Sequence, residues 1–165
     1  MGIVIAVASG KGGTGKTSVT GGVAAALAMA GQRVLCIDMD IGLRNLDISL
    51  GLSDRALMDF SDVALGRCPL ARGAVDHPDV KGLSLLTAPM SLSPSLTIDK
   101  VRAMMDTARG QYDYILIDGM PKMGTAMINV MICCDSLIIP VQSETLAVEG
   151  MAEFLRAFHR IKSHA

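Results

Sequence analysis

The sequence predicts an α/β fold in three layers, a mostly parallel β-sheet covered by helices on both faces. Three observations predict it. Short β-branched runs alternate with longer helical patterns, the order that builds parallel strand pairs through right-handed crossovers. Those runs are apolar throughout rather than alternating, so the sheet must be covered on both faces. With 165 residues, half of them hydrophobic, the chain can bury one sizeable core and hardly two. The expectation is therefore a single domain over residues 1–165.

The elements follow in order. Ile3 to Ala8 reads as a buried strand, and Lys16 to Ala30 as an Ala- and Leu-rich helix stopped by Gly31. Arg33 to Asp38 is the second strand, and Asp54 to Leu65 a helix ending at Gly66. The stretch 66–81, with Pro69, Gly73 and Pro78, reads as irregular. Leu83 to Thr87 is the third strand. Thr97 or Ser95 caps a helix through Ala108, stopped by Gly110. Tyr112 to Asp118 is the fourth strand, Met123 to Cys133 a helix, Ser136 to Val141 the fifth strand, and Glu144 to Lys162 the last helix.

Composition excludes several function classes. Fifteen basic residues against sixteen acidic ones give a formal charge of −1, which is not that of a nucleic-acid-coating protein. Two Tyr, three Phe and no Trp make a base-stacking surface improbable. The four cysteines lack the spacing of a disulfide framework or zinc site, and a reduced compartment suits them. No leader is read at the amino terminus, and Ala6 breaks a myristoylation pattern. The apolar stretch from Met127 to Val141 is interrupted by Asn129, Asp135, Ser136 and Pro140, so it is not read as a membrane span. The expected location is the cytoplasm.

Chemistry enters at Gly10-Lys11-Gly12-Gly13-Thr14-Gly15-Lys16-Thr17, which satisfies G-x-x-x-x-G-K-[ST] at every fixed position. Its glycines let several backbone N–H groups point at one phosphate chain, and the following helix adds the positive end of its dipole. Lys16 brings a charge to the β- and γ-phosphates, and the Thr17 hydroxyl can ligate Mg²⁺. Gly10 to Ser18 are thus the candidate nucleotide-binding residues, in a P-loop NTPase-like fold.

Two strands then end in carboxylates. Asp38 and Asp40 follow the second strand, where open parallel sheets bind ligands, and they share one side if the strand continues. A carboxylate there could orient an attacking water or hold a water on magnesium; it could equally cap a helix. Asp118 closes the fourth strand in the Walker B manner, or is a turn aspartate.

These motifs resemble the deviant Walker A ATPases of the MinD/ParA family. Lys11, directly after the first glycine, stands where that family has a second lysine. The resemblance implies that Lys11 reaches the phosphates of a partner in an ATP-sandwiched homodimer, and that Lys11, Lys16 and Asp40 are catalytic. Asp38-x-Asp40-x-Gly42-Leu43-Arg44-Asn45-Leu46-Asp47 is similar to the switch I segment of MinD. It implies that Asp40 positions the hydrolytic water. Asp38 would then lie in the magnesium shell with Thr17 and Asp118, and Asn45 on the dimer face.

Beyond Asp118 the likeness shifts towards ParA, in Asp118-Gly119-Met120-Pro121, Ile138-Ile139-Pro140-Val141-Gln142 and Leu146-Ala147-Val148-Glu149-Gly150. Pro121 would belong to the switch. Lys122 departs from the serine common in ParA proteins.

The implied function is a Mg²⁺-dependent ATP-binding and hydrolysing dimerisation switch for spatial organisation, either division-site placement or chromosome and plasmid partitioning. ATP and Mg²⁺ are the expected cofactors, and an activator protein is a possible partner. The alternative is a nucleotide-binding scaffold, or an engineered or truncated core with little ATPase activity, since family members continue well beyond this length. In the last helix Met151, Phe154, Leu155, Phe158 and Ile161 share a face. That face reads as a cover for the sheet in preference to a membrane-surface helix. Neither membrane nor DNA association is expected of this chain alone. His77, His159 and His164 form no triad or ligand set and are assigned no role.

Overall fold

The central strand pair is β1 (Ile3–Val7) with β5 (Tyr114–Asp118), and around it the sheet runs in the order β3-β4-β2-β5-β1-β6. The remaining strands are β2 (Val34–Asp38), β3 (Val75–Asp76), β4 (Leu83–Leu86) and β6 (Ser136–Ile138). The computed structural model describes residues 1–8, 15–119, 125–143 and 145–164. Every pairing is parallel except β3 with β4, so the sheet is mostly parallel, as its apolar strands require.

Helices α1 (Lys16–Met29), α2 (Asn45–Ser49), α3 (Phe60–Ala64), α4 (Leu70–Gly73), α5 (Ile98–Gln111), α6 (Thr125–Cys133) and α7 (Thr145–His164) cover the sheet. Alternation along each strand divides the core between its faces. Leu35, Ile37, Ile115 and Ile117 pack with Phe60, Val101, Met104 and Met105 on one side. Val34, Cys36, Leu85 and Leu116 pack with Ala24, Ala28 and Leu46 on the other. Phe154 of α7 is buried against Ala8 and Met131, with Phe158 and Ile161 partly buried beside it. The apolar face of α7 is thus turned onto the protein. Among the described residues no helix is long and apolar enough to cross a membrane.

The amino end of the sheet is stitched by one arginine. Arg109 donates to the carbonyls of Gly2 and Cys133 at 2.9 and 3.0 Å and pairs with both oxygens of Asp135. Asp135 in turn accepts the Val4 N–H at 2.8 Å. A Cβ at Gly2 would sit 2.2 Å from the Tyr112 carbonyl oxygen, so only glycine fits there.

Several sequence expectations are corrected. The helix read over Asp54 to Leu65 starts only at Phe60, because Asp59 accepts the N–H groups of Ser61 and Asp62 while Asp62 accepts that of Asp59. This capping box stops the helix from starting earlier. Helix α5 is capped by Thr97 and continues through Gly110 to Gln111, since an exposed helical glycine is only about 1 kcal/mol worse than alanine. Strand β2 ends at Asp38, so Asp38 and Asp40 do not share a strand face. Strand β6 ends at Ile138, short of Val141. The stretch read as irregular contains α4 and β3, too short to show a period.

Asp59→Ala removes the acceptor for two helix-end amides and should destabilise the fold by about 1 kcal/mol. Urea unfolding with an unchanged m-value is the check; an unaltered midpoint would show that Phe60 burial alone fixes the helix start.

Candidate nucleotide and magnesium site

In-register parallel pairing brings three strand ends together. Val7 is opposite Asp118 across β1 and β5, and Asp38 is opposite Asp118 across β2 and β5. Backbone bonds continue past the strands: Met39 N–H donates to the Asp118 carbonyl at 3.0 Å, and Gly119 N–H to that of Val7 at 2.8 Å. The end of β1, Asp38 and Asp118 thus lie together at the carboxyl ends of the central strands, where open parallel sheets bind ligands.

Gly10, Lys11, Gly12, Gly13 and Thr14 lie outside the described residues, as do Pro121 and Lys122. Gly15 is described, and its left-handed φ of 87° is one that glycine takes without strain. Lys16 opens α1 and is 8% exposed; Thr17 is half-buried and Ser18 exposed. The Thr17 hydroxyl donates to Asp118 Oδ2 at 2.7 Å. Asp118 Oδ1 is buried and has no hydrogen-bond partner among the described residues. A hydroxyl that has given its proton to a carboxylate keeps its lone pairs for a cation.

Asp38 is fully buried. Its Oδ1 accepts the Asp40 N–H at 2.9 Å and its Oδ2 the Leu46 N–H at 3.3 Å. The helix-cap reading of this aspartate is therefore seen, since its side chain caps α2 while lying beside Asp118. Asp40 stands half-buried in the turn after β2, and Asn45 is exposed at the start of α2.

Burial pushes the Asp38 carboxyl up from 3.8 to about 7, against the pull of the Asp40 N–H and with a push from Asp118. Burial likewise raises Asp118 to about 6, opposed by the Thr17 hydroxyl and by Lys16. Asp40 is also raised by burial, with Lys16 opposing. Asp38 and Asp118, buried neighbours across β2 and β5 whose charge Asp40 also opposes, make a site that gains from a cation.

The residues present fit Mg²⁺. The oxygen donors are hard, one buried carboxylate oxygen is orphaned, and a threonine hydroxyl stands beside it. Among the described residues no three His, Cys, Asp or Glu side chains converge as a metal cage. An ion that keeps several waters and takes few protein ligands matches that arrangement.

The AAA domain family model matches residues 2–165. Septum site-determining protein MinD of Helicobacter pylori is 37% identical over 145 residues, covering 87% of this chain and 54% of that protein. Sporulation initiation inhibitor protein Soj of Bacillus subtilis is 31% identical over 175 residues, covering 99% of this chain and 68% of that protein. The chain belongs to the MinD/ParA family. In structure it is similar to MinD of Pyrococcus horikoshii complexed with Mg-ADP. The TM-score is 0.83 and the identity 25%, covering 97% of this chain and 66% of that one. The chain spans about half the length of the MinD relatives it matches, 54% in the Helicobacter case.

Sequence reasoning missed the support beneath Asp38. Arg44 has φ 52°, the only positive φ of a non-glycine among the described residues, and it pairs with the buried Asp47 at 3.3 Å. The pair sits at i and i+3, a spacing visible in the sequence. The bend that lets Leu46 reach Asp38 is not visible there.

The raised carboxyls set a pH dependence. A carboxyl whose folded pKa lies above its unfolded value contributes stability below the unfolded value and loses it as pH rises through the folded one. The nucleotide-free, Mg²⁺-free protein should therefore lose stability between about pH 4 and pH 7 through Asp38 and Asp118. Asp118→Asn should flatten the part of that slope below about pH 6, leave the part up to about pH 7 that belongs to Asp38, and raise the melting temperature at pH 8. Thermal melts across this range test it; a parent more stable at pH 8 than at pH 5.5 contradicts it.

Proposed function

We propose that this chain is the ATP-binding and hydrolysing core of a Mg²⁺-dependent dimerisation switch acting in spatial organisation, division-site placement or chromosome and plasmid partitioning. One observation carries the reading: Thr17 donates to a buried Asp118 whose other oxygen has no partner among the described residues, at the foot of a helix whose first residue is Lys16. Mg-ADP in the Pyrococcus MinD supports the choice of nucleotide and metal.

In this reading the amides of Gly10 to Ser18 and the Lys16 ammonium bind the phosphates. Thr17 holds the metal, with Asp38 and Asp118 in its shell. Bound there, Mg²⁺ would neutralise charge on the transferring phosphoryl group. Asp40, nearer to solvent than Asp38, accepts a hydrogen bond from the attacking water and turns its oxygen towards the phosphorus. Lys11 of a second copy brings a further cation to the same charge. Asn45 and Pro121 lie on the face where the copies meet. The domain is the single nucleotide-binding unit of residues 1–165.

Lys16→Ala should weaken ATP binding at least tenfold, because the phosphates lose their ammonium partner in the same chain. Titration with a fluorescent ATP analogue at fixed Mg²⁺ reads this, and unchanged affinity refutes the phosphate site.

Asp40→Ala should leave ATP bound and lower steady-state phosphate release about a hundredfold, since a water-orienting group acts in the transition state. Weakened Mg²⁺–ATP binding with the turnover rate at saturation retained would instead exchange the roles of Asp38 and Asp40. A parent that binds ATP without turnover would be a nucleotide-holding scaffold.

A further inference from the structure

Helix α2 has five residues, too few to hold its shape alone. Its N-cap residue, Arg44, supplies no side-chain cap. What fixes its amino end is the Leu46 N–H on Asp38 Oδ2 and the Arg44–Asp47 pair. One flank lies against α1, where a Cβ on Gly21 would stand 3.5 Å from Leu50 Cδ2 and 3.6 Å from Ser49 Oγ.

The carboxyl end is held by a residue from the far edge of the sheet. His77 Nε2 lies 3.1 Å from the Leu50 carbonyl oxygen. Its other nitrogen, Nδ1, accepts the N–H groups of Asp79 and Val80, both at 3.1 Å. Two N–H donors facing Nδ1 require an acceptor there, which leaves the ring proton on Nε2, donating to Leu50. The backbone of His77 is fixed as well, its N–H on the Leu83 carbonyl at 2.8 Å beside the β3–β4 pairing. The imidazole is thus a strut between the sheet edge and α2.

We propose that His77 is a positioning residue for the nucleotide site. It holds α2 by the Leu50 carbonyl and thereby keeps the Leu46 N–H on the Asp38 carboxylate. The inference rests on the Mg²⁺–ATP reading for its functional consequence, but not for its geometry. Without the strut, α2 keeps its Leu46 anchor in the core but its carboxyl end is less restrained against α1, and the Leu46 N–H is held less firmly on Asp38, one of that carboxylate's two backbone donors. A carboxylate so released is oriented less well towards a metal shell.

His77→Asn separates this role from that of the turn. An asparagine Oδ1 stands where Nδ1 does and still accepts from Asp79 and Val80, but the side chain is too short to reach Leu50. His77→Ala removes both functions.

In the nucleotide-free protein, NMR hydrogen exchange should be about fivefold faster at Leu46 and Leu50 in His77→Asn, the effect of one net hydrogen bond. The amides of Asp79, Val80, Cys36 and Ile37 should exchange as in the parent. At saturating ATP the apparent Mg²⁺ affinity should weaken by a similar factor, with ATP affinity in EDTA unchanged.

Unaltered exchange at Leu46 would overturn the proposal. So would an equal loss of ATP affinity with and without Mg²⁺. A parent that binds no ATP would refute the nucleotide site, whereas exchange at Leu46 would still decide whether His77 holds α2.

Discussion

Parallel pairing of β1, β5 and β2 in a single register is the constraint on which the site depends. Because Asp118 is the direct neighbour of both Val7 and Asp38 across that register, the end of β1 and two carboxylates meet at the carboxyl ends of the central strands. A slip of one residue on β5 would turn Asp118 to the opposite face and put an apolar side chain beside Thr17. The two-sided core opposes such a slip, since Ile115 and Ile117 pack on one side and Leu116 on the other.

That convergence is electrostatically unfavourable for the side chains by themselves. Asp38 and Asp118 are both driven towards their protonated forms by burial, and each other's proximity adds to this for Asp38. The opposing contacts are local: Thr17 on Asp118, backbone N–H groups on Asp38, and Lys16 near Asp118 and Asp40. A site with unrelieved carboxylate burial and an orphaned oxygen binds a cation with less desolvation left to oppose it. Stability and ligand binding are therefore coupled through the same side chains.

The support for this site extends sideways rather than into the core. Asp38 caps α2, α2 leans on α1, and His77 meets its last carbonyl from the β3–β4 edge. Short helices in such positions depend on their end contacts more than on burial. Leu46 and Asp47 are the buried residues of α2, so its end contacts set its place together with one apolar anchor in the core.

Periodicity, β-branching and the spacing of Gly10, Gly15, Lys16 and Thr17 determined the fold class, the parallel sheet and the identity of most candidate site residues. These features are local, and local patterns repeat over enough residues to be read. The pairing of Thr17 with Asp118 joins residues about a hundred positions apart, and no spacing rule encodes it. The tertiary structure alone decided that Asp38 also caps α2. It alone showed that the helix after Asp54 waits for the capping box at Asp59, and that His77 reaches Leu50. The capping box is local, three residues wide, but the Asp38–Leu46 and His77–Leu50 bonds join a short helix to residues outside it. Elements of four or five residues have too little periodicity to be seen, and their positions are set by hydrogen bonds that form only once the sheet has assembled.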